Sequence, residues 1–290
     1  MGGVDKVFLN LCKGLDRIDV RYETNLPFQK LELEDRVGVL GRGRHCLNGY
    51  NRSNPIVAGV ALMTHPSEWP TLCEDYPVVA YLQHSEWTNN VYKPYFGERC
   101  MIWPVGIDTE EWRPFEKAKD FDFLIYDKIL WDRERKVPEL LYPIEKELKR
   151  LEFKSAILRY GNYDSEEYKD ALARCRAMIF LCEHESQGIA YQEALSSGVP
   201  ILAWDQGWCL DPNRFAWGEK DVPATSVPYF DERCGRRFKS IEEFSTKLAE
   251  FVDLLQSNTF SPREYILENL TLDACAQRYL DILNEVAQQS

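Results

Sequence analysis

Short apolar runs alternate with amphipathic stretches between residues 122 and 205, and this alternation constrains the fold more than any other feature. The apolar runs are DFLIYD (122–127), KSAILRYG (154–161), AMIFLCE (177–183) and VPILAWD (199–205). Residues 137–152 and 165–175 have helical periodicity, the second stretch with Ser165 as its N-cap, and a shorter helix follows Gly188. Strands that alternate with helices require a parallel sheet covered on both faces.

The N-terminal part carries four further apolar runs, at 37–40, 55–62, 76–82 and 100–107. Residues 4–18 precede them and form an amphipathic helix with Lys6, Lys13 and Arg17 on its polar face. A polar segment, 108–120, then links the two halves of the chain. We therefore predict an α/β protein with two Rossmann-like domains that face each other across a cleft.

Composition excludes several classes of protein. The net charge of −12 over 290 residues disfavours sequence-independent binding to nucleic acid phosphates. The basic face of the first helix could contact lipid headgroups weakly, although a solvated surface is the simpler interpretation. No apolar run reaches the roughly 20 residues of a transmembrane helix, and the N-terminus has no signal-peptide pattern. Scattered cysteines without C-x-x-C indicate reduced thiols, and the few histidines indicate no metal site, so we expect a cytoplasmic protein.

The stretch EHESQGIAYQEALSSGVP (183–200) carries the chemistry. It places a strand end, a turn at Gly188 and a helix start at the carboxyl edge of the sheet, where doubly wound folds bind ligands. The free N–H groups of the helix start favour a diphosphate, and the small or flexible Ser186 and Gln187 leave room for it. Glu185 and Glu193 flank this turn, and both carboxylates can accept hydrogen bonds from sugar hydroxyls.

The same stretch resembles the E-x7-E signature of retaining glycosyltransferases of the family 4 type, which have the GT-B fold. The matching residues are Glu185, Gly188, Glu193, Ala194, Leu195, Gly198, Pro200 and Ile201. The resemblance implies that Glu185 lies beside the donor sugar and that Glu193 holds the nucleotide ribose. It places Ile189, with Ser186, Gln187 and Gly188, in the donor-binding turn. A nucleoside diphosphate sugar, such as a UDP sugar, would be the donor, and no metal or other cofactor is implied.

Four weaker resemblances extend the comparison. WPVGIDTEEWRP (103–114) is similar to the family's junction between domains. Lys128 matches a cation that neutralises the donor diphosphate, and Arg133, Arg135 or Lys136 would supply a second one. Gly2 and Gly3 match a glycine-rich loop near the reacting sugar and acceptor, and His84 matches a histidine near the sugar or the acceptor.

The resemblance also implies how the chain is divided. Residues 1–106 would form a reduced acceptor-side domain, joined by the final helix 272–290, and residues 107–271 would bind the nucleotide sugar. The predicted activity is sugar transfer with retention to a glycan, lipid or small-molecule acceptor. A non-catalytic nucleotide-sugar-binding or scaffold subunit is the alternative, and a nucleotide-sugar epimerase is a third possibility that the spacing disfavours.

Overall fold

The computed structural model describes residues 3–41 and 43–289, so Gly2 lies outside the described residues. The chain divides into two compact units. The first unit comprises Met1–Gly106 and Leu270–Ser290, and the second comprises Ile107–Asn269. Each unit has its own parallel sheet.

The first unit contains a four-stranded sheet in which spatial order equals chain order, β1-β2-β3-β4. Its elements are α1 (Gly3–Arg17), β1 (Val37–Val39), β2 (Ile56–Gly59), α2 (Leu72–Asp75), β3 (Val78–Gln83), α3 (Glu86–Phe96), β4 (Cys100–Ile102) and the final helix α10 (Leu272–Gln289). All three strand pairs are parallel.

The two faces of this sheet pack against different helices. Val37 and Val39 point to a core that includes Tyr92 and Phe96 of α3. Gly38 points the other way, as alternation along a strand requires, and a Cβ there would lie 2.0 Å from the hydroxyl of Tyr279 in α10. Glycine at position 38 therefore allows the final helix to lie directly on β1.

The second unit contains a five-stranded sheet in the order β6-β5-β7-β8-β9. Its elements are β5 (Phe121–Lys128), α4 (Arg133–Lys136), a π-helical turn (Val137–Leu141), α5 (Tyr142–Arg150), β6 (Ser155–Arg159), α6 (Ser165–Arg174), β7 (Cys175–Cys182), α7 (Ile189–Ser196), β8 (Ile201–Trp204), β9 (Gly235–Phe238), α8 (Ile241–Gln256) and α9 (Pro262–Asn269). All neighbouring strands are parallel.

Helices cover both faces of this second sheet. On one face, alternate residues of β5 and β7 pack against the apolar sides of α5 and α8. On the other face, Tyr126 and Phe180 stack with ring centroids 5.6 Å apart, and Tyr168 of α6 lies 5.7 Å from Tyr126. This two-sided covering explains why β5 and β7 read as continuous apolar runs.

The predicted α/β class with two parallel sheets is confirmed, and all eight predicted strands are present, several of them shorter. The prediction that Ser165 caps α6 was wrong. Asp164 is the N-cap, because its side chain accepts hydrogen bonds from the backbone N–H groups of Glu166 and Glu167, both at 2.9 Å. The Glu167 carboxylate accepts in return from the Asp164 N–H, which completes a capping box.

Candidate functional site

The order of the second sheet creates a topological switch point between β5 and β7. The chain leaves β5 toward β6 on one side and later returns to place β7 on the other. Lys128, the last residue of β5, is the register partner of Cys182, the last residue of β7. Ligands of open α/β sheets bind outside the carboxyl ends of the strands at such a point. The residues that follow Lys128 and Cys182 are therefore the first candidates for a site.

Lys128 and Glu185 form an ion pair at this switch point. The Lys128 ammonium donates to Oε1 of Glu185 at 2.5 Å, and their side chains are only 14% and 11% exposed. The ammonium also lies 4.5 Å from the ring centroid of Tyr160. Burial lowers the pKa of Lys128, but the Glu185 charge and further interactions outweigh burial and raise it above its usual range. Lys128 is therefore positively charged at neutral pH, although its side chain is mostly shielded from solvent.

The turn before α7 depends on Gly188. Its φ is +85°, and a Cβ there would lie 2.1 Å from a ring carbon of Tyr191. Gly188 is the N-cap of α7 and has no side chain to cap the first-turn N–H groups. Ser186 is exposed, and Ile189 is half-buried. The first-turn N–H groups of α7 therefore have no N-cap side chain as an acceptor.

Gln187 differs from the open position that the sequence suggested. Its side chain is 2% exposed, and its amide donates to Oε1 of Gln192 at 3.0 Å. The Gln192 amide donates back to the Gln187 carbonyl at 2.9 Å. This reciprocal pair fixes the turn from within.

Glu193 is the fifth residue of α7, just over one turn into the helix, and is 3% exposed. Its charge acts on two tyrosines, Tyr163 and Tyr168. Burial, and also the Glu193 charge, raise the pKa of Tyr163 to about 12, against the effects of the Tyr126 hydroxyl and Lys128. Tyr163 therefore lies within electrostatic reach of both Glu193 and Lys128.

Two of the three candidates for the second cation have acidic partners, and the third, Lys136, has its ammonium 5.0 Å from the ring centroid of Trp204. Arg133 forms a bidentate ion pair with the buried Asp127, with one Nη1–Oδ1 distance of 2.8 Å. Arg135 pairs with Asp132 and Glu139 on the surface. Arg133 thus holds the segment after β5, a role that requires the buried position of Asp127 and is invisible in the linear pattern.

Two acids that the sequence analysis did not single out, Asp127 and Glu183, organise the same strand ends. Glu183 follows β7 directly and is fully buried, and its carboxylate accepts from the backbone N–H groups of Leu130 and Trp131. Asp127 accepts from the Ile129 N–H at 3.2 Å. An acid within an apolar run was the one available signal for each.

His84 and Gly3 belong to the first unit, whereas the residues described above belong to the second. His84 follows β3, and its Nδ1 lies 3.2 Å from the Trp103 carbonyl oxygen, which places the proton on Nδ1. Burial lowers the pKa of His84 to about 4, although the Trp103 carbonyl opposes this. Gly3 is the first residue of α1 and therefore lies in the helix rather than in a loop.

Among residues 3–41 and 43–289, no group of three His, Cys, Asp or Glu side chains is arranged to hold a metal ion. Within the same ranges, no helix combines the length and the apolar character needed to cross a membrane.

Comparison with known proteins adds a fold-level result. The sequence matches no protein-family model and no curated protein. The structure is similar to TarM of S. aureus, solved as a point mutant with Fondaparinux, alpha-GlcNAc-glycerol and UDP (TM-score 0.59, 12% identity, 82% of this chain and 53% of TarM). It is also similar to the pneumococcal O-GlcNAc transferase GtfA, solved with UDP and GlcNAc (TM-score 0.54, 13% identity, 84% of this chain and 55% of GtfA).

A third similar structure is WaaG, a glycosyltransferase involved in lipopolysaccharide biosynthesis (TM-score 0.53, 12% identity). The match covers 98% of this chain and 96% of WaaG, whereas the chain spans only about half the length of TarM and GtfA. The predicted reduction of the first domain is not shown by these matches. At such low identities the likeness shows the fold alone, and that fold is the GT-B fold of glycosyltransferases.

Proposed function

We propose that the chain is a retaining glycosyltransferase that takes its sugar from a nucleoside diphosphate sugar. The observation that carries the proposal is the buried Lys128–Glu185 pair at the switch point, beside a helix start at Gly188. A cation, an acid and free helix N–H groups at one sheet edge suit a diphosphate with a sugar attached. The UDP in the TarM and GtfA structures supports a UDP sugar as the first donor to test.

In the proposed reaction, the bond between the anomeric carbon and the leaving phosphate oxygen breaks. A bond from the acceptor oxygen forms on the same face, and the acceptor proton passes to a phosphate oxygen. Retention by this route requires no carboxylate nucleophile, unlike in many glycosidases. Lys128 and the N–H groups at the start of α7 stabilise the charge on the leaving phosphate, so no metal is required. Glu185 accepts from donor-sugar hydroxyls, and Glu193 accepts from the ribose hydroxyls.

The proposal identifies the acceptor only by its chemical class. The TarM structure contains a glycosylated glycerol, and WaaG is involved in lipopolysaccharide biosynthesis. These similar structures support a hydroxyl-bearing glycan or glycolipid as the acceptor. We assign His84 to the acceptor side, where Nε2 of the neutral imidazole can accept a hydrogen bond from a hydroxyl group. A cytoplasmic location is part of the same proposal.

A thermal-shift screen with UDP, GDP and ADP sugars tests donor binding. A donor at 100 times its Kd adds about 2.7 kcal/mol to the free energy of unfolding. We expect Glu193→Ala to abolish this shift and Glu166→Ala, which removes an exposed acid on α6, to preserve it. If no nucleotide sugar shifts the wild-type protein, the proposed function is wrong.

Product analysis then separates transfer from binding alone. NMR of the anomeric proton in the product shows whether configuration is retained. Donor binding without transfer or hydrolysis across a panel of glycan acceptors would favour the non-catalytic subunit. Conversion of the donor without any acceptor would instead favour an epimerase.

A further inference from the structure

Glu183 is a fully buried acid held by main-chain donors. The Leu130 N–H lies 3.1 Å from each of its carboxylate oxygens, and the Trp131 N–H lies 3.1 Å from Oε1. The segment 129–131 begins one residue after Lys128. Glu183 itself lies two residues before Glu185. The contact therefore ties together the two strand ends that carry the Lys128–Glu185 pair.

The same segment points a third N–H at a carboxylate. The Ile129 N–H donates to Oδ1 of Asp127 at 3.2 Å. Three successive backbone N–H groups thus face acidic side chains, an arrangement that binds anions in many proteins. Here the chain supplies the anions itself.

Glu183 also reaches the end of the next strand. The side-chain amide of Gln206, just after β8, donates to the Glu183 backbone carbonyl at 3.2 Å. Glu183, which follows β7, consequently contacts the segments that follow the two neighbouring strands, β5 and β8.

We infer that Glu183 is a positioning residue: its carboxylate fills the anion site of segment 129–131 and thereby holds Lys128 where it meets Glu185. This inference rests on the proposed function only for its consequence, namely that correct placement of Lys128 is needed to bind the donor diphosphate. The arrangement of Glu183 with segment 129–131 stands without it.

Burial acts against the charge of Glu183, and its neighbouring donors act in favour of it. Burial raises the pKa of Glu183, against the lowering effects of the Leu130 and Trp131 N–H groups and of Lys136. A glutamine would keep one acceptor oxygen but would turn an NH2 group toward the N–H donors. Glu183→Gln should therefore keep the packing and lose part of the anion site.

Chemical rescue of Glu183→Ala tests the inference without any nucleotide. The truncation leaves room for formate, which can take the place of the lost carboxylate. The first readout is the rate at which an acylating reagent modifies Lys128, followed by peptide mass spectrometry. We expect acylation of Lys128 to rise about tenfold in Glu183→Ala, and sodium formate, but not equal sodium chloride, to reverse most of it.

The second readout is the Kd of UDP by calorimetry. Glu183→Ala should bind UDP about tenfold more weakly or worse, and formate should restore much of the affinity. Glu134→Ala, which removes an exposed acid from α4, is the matched control. Its Lys128 acylation rate and its Kd for UDP should equal those of wild type, with or without formate. If Glu183→Ala does not fold, Glu183→Gln should give the same direction of change in both readouts, without rescue by formate.

Two results would overturn the inference. One is unchanged acylation of Lys128 in both Glu183 variants. The other is increased acylation that formate fails to reverse in a folded Glu183→Ala protein, which would make Glu183 an ordinary core residue. If wild type fails to bind UDP or other nucleotides while Lys128 responds to formate as expected, the proposed function fails and the positioning role stands.

Discussion

The carboxyl edges of the two parallel sheets carry side chains of different charge. At and just after the ends of β5 and β7, the second unit places four charged side chains in buried or half-buried positions: Asp127, Lys128, Glu183 and Glu185. At and just after the end of β3, the first unit places Gln83, His84 and Ser85, which are buried and carry no charge at neutral pH. An edge with charges suits an ionic ligand, whereas an edge with amides and hydroxyls suits a neutral one.

The helices that follow these edges also begin differently. Ser85 and Thr88 form a capping box at the start of α3, in which the Ser85 N–H donates to Thr88 Oγ1 at 3.2 Å. In contrast, α7 begins at Gly188, which has no side chain to act as a cap. Side chains thus cap the N-terminus of α3, whereas the N-cap residue of α7 contributes no side-chain acceptor.

Sheet order explains why the charges gather in one unit. The first sheet runs β1-β2-β3-β4, so its connections all advance in one direction. The second sheet reverses direction between β6 and β7, and the reversal opens a crevice at the ends of β5 and β7. This reversal is the reason why we propose the diphosphate site at the second sheet.

The largest expected effect is the loss of nucleotide binding in Lys128→Met. Removal of the ammonium deprives the diphosphate of its cation and leaves Glu185 without its 2.5 Å partner. We expect UDP affinity to fall about a hundredfold or more in calorimetry. Gln83→Ala, at the end of β3, should leave UDP affinity almost unchanged. Equal losses in both variants would break the contrast between the two edges.

The two helix starts should differ in their sensitivity to added or removed atoms. Gly188→Ala forces a Cβ into the Tyr191 ring at a φ of +85°, so we expect a loss of about 2–4 kcal/mol of unfolding free energy. Ser85→Ala removes a cap and should cost about 1 kcal/mol. Urea unfolding measures both, and a Gly188→Ala protein as stable as Ser85→Ala would contradict the proposed geometry of the turn.

Each unit also contains a histidine that burial keeps neutral. Burial lowers the pKa of His84 and of His184 to about 4, below the ordinary value of 6.5. Between those values the unfolded chain binds more protons, so stability falls as pH falls. The expected loss is about 2 kcal/mol per histidine between pH 7 and pH 5.

Thermal unfolding of His84→Gln and His184→Gln across this range checks the prediction. Each substitution should flatten the pH dependence of stability, and if the units unfold separately, each should act on a different transition. Glu183, in the second unit, has the opposite effect on stability. Because burial raises its pKa, the folded state binds more protons than the unfolded chain, and this residue's contribution to stability rises as pH falls. An unchanged pH dependence in both variants would show that neither imidazole governs acid sensitivity.

The smallest expected effect concerns Tyr160, whose ring lies 4.5 Å from the Lys128 ammonium. A contact of this kind contributes about 0.5–1 kcal/mol, so Tyr160→Leu should weaken UDP binding by only about two- to fivefold. Tyr160→Phe keeps the ring and should bind as wild type does. A loss in Tyr160→Leu as large as that in Lys128→Met would mean that the ring, rather than Glu185, sets the position of the ammonium.

Local patterns in the sequence predicted most of the fold. The apolar runs of β5, β7 and β8 and the periodicity of α1, α5 and α6 were visible in the sequence because each depends on neighbouring residues. The short strand β9 was missed because its sequence, GRRF, contains two arginines at the edge of the sheet. The helix α3 was missed as well, and it contains Pro94 near its end.

Only part of the candidate site could be predicted from the sequence, because some of its contacts join residues that are far apart in the chain. The spacing of Glu185, Gly188 and Glu193 is local and was visible in one stretch. Lys128 meets Glu185 across 57 residues, however, and that contact depends on the register between β5 and β7. Arg133 meets Asp127 only six residues away, in a local contact that strand register does not set. The dependence on register does hold for Glu183 and segment 129–131. Strand pairing thus decided that Lys128 and Glu185 meet.

The membership of α10 in the first unit affects how the chain can fold during synthesis. Trp103 donates its indole N–H to the Cys275 carbonyl at 2.9 Å, and Tyr279 covers Gly38, so the first sheet needs residues from beyond position 269. The second unit, Ile107–Asn269, is contiguous and leaves the ribosome whole before those residues appear. The first unit, whose N-terminal part is translated first, is therefore the unit that completes its fold last. Until α10 is available, the face of its sheet that packs against this helix stays exposed.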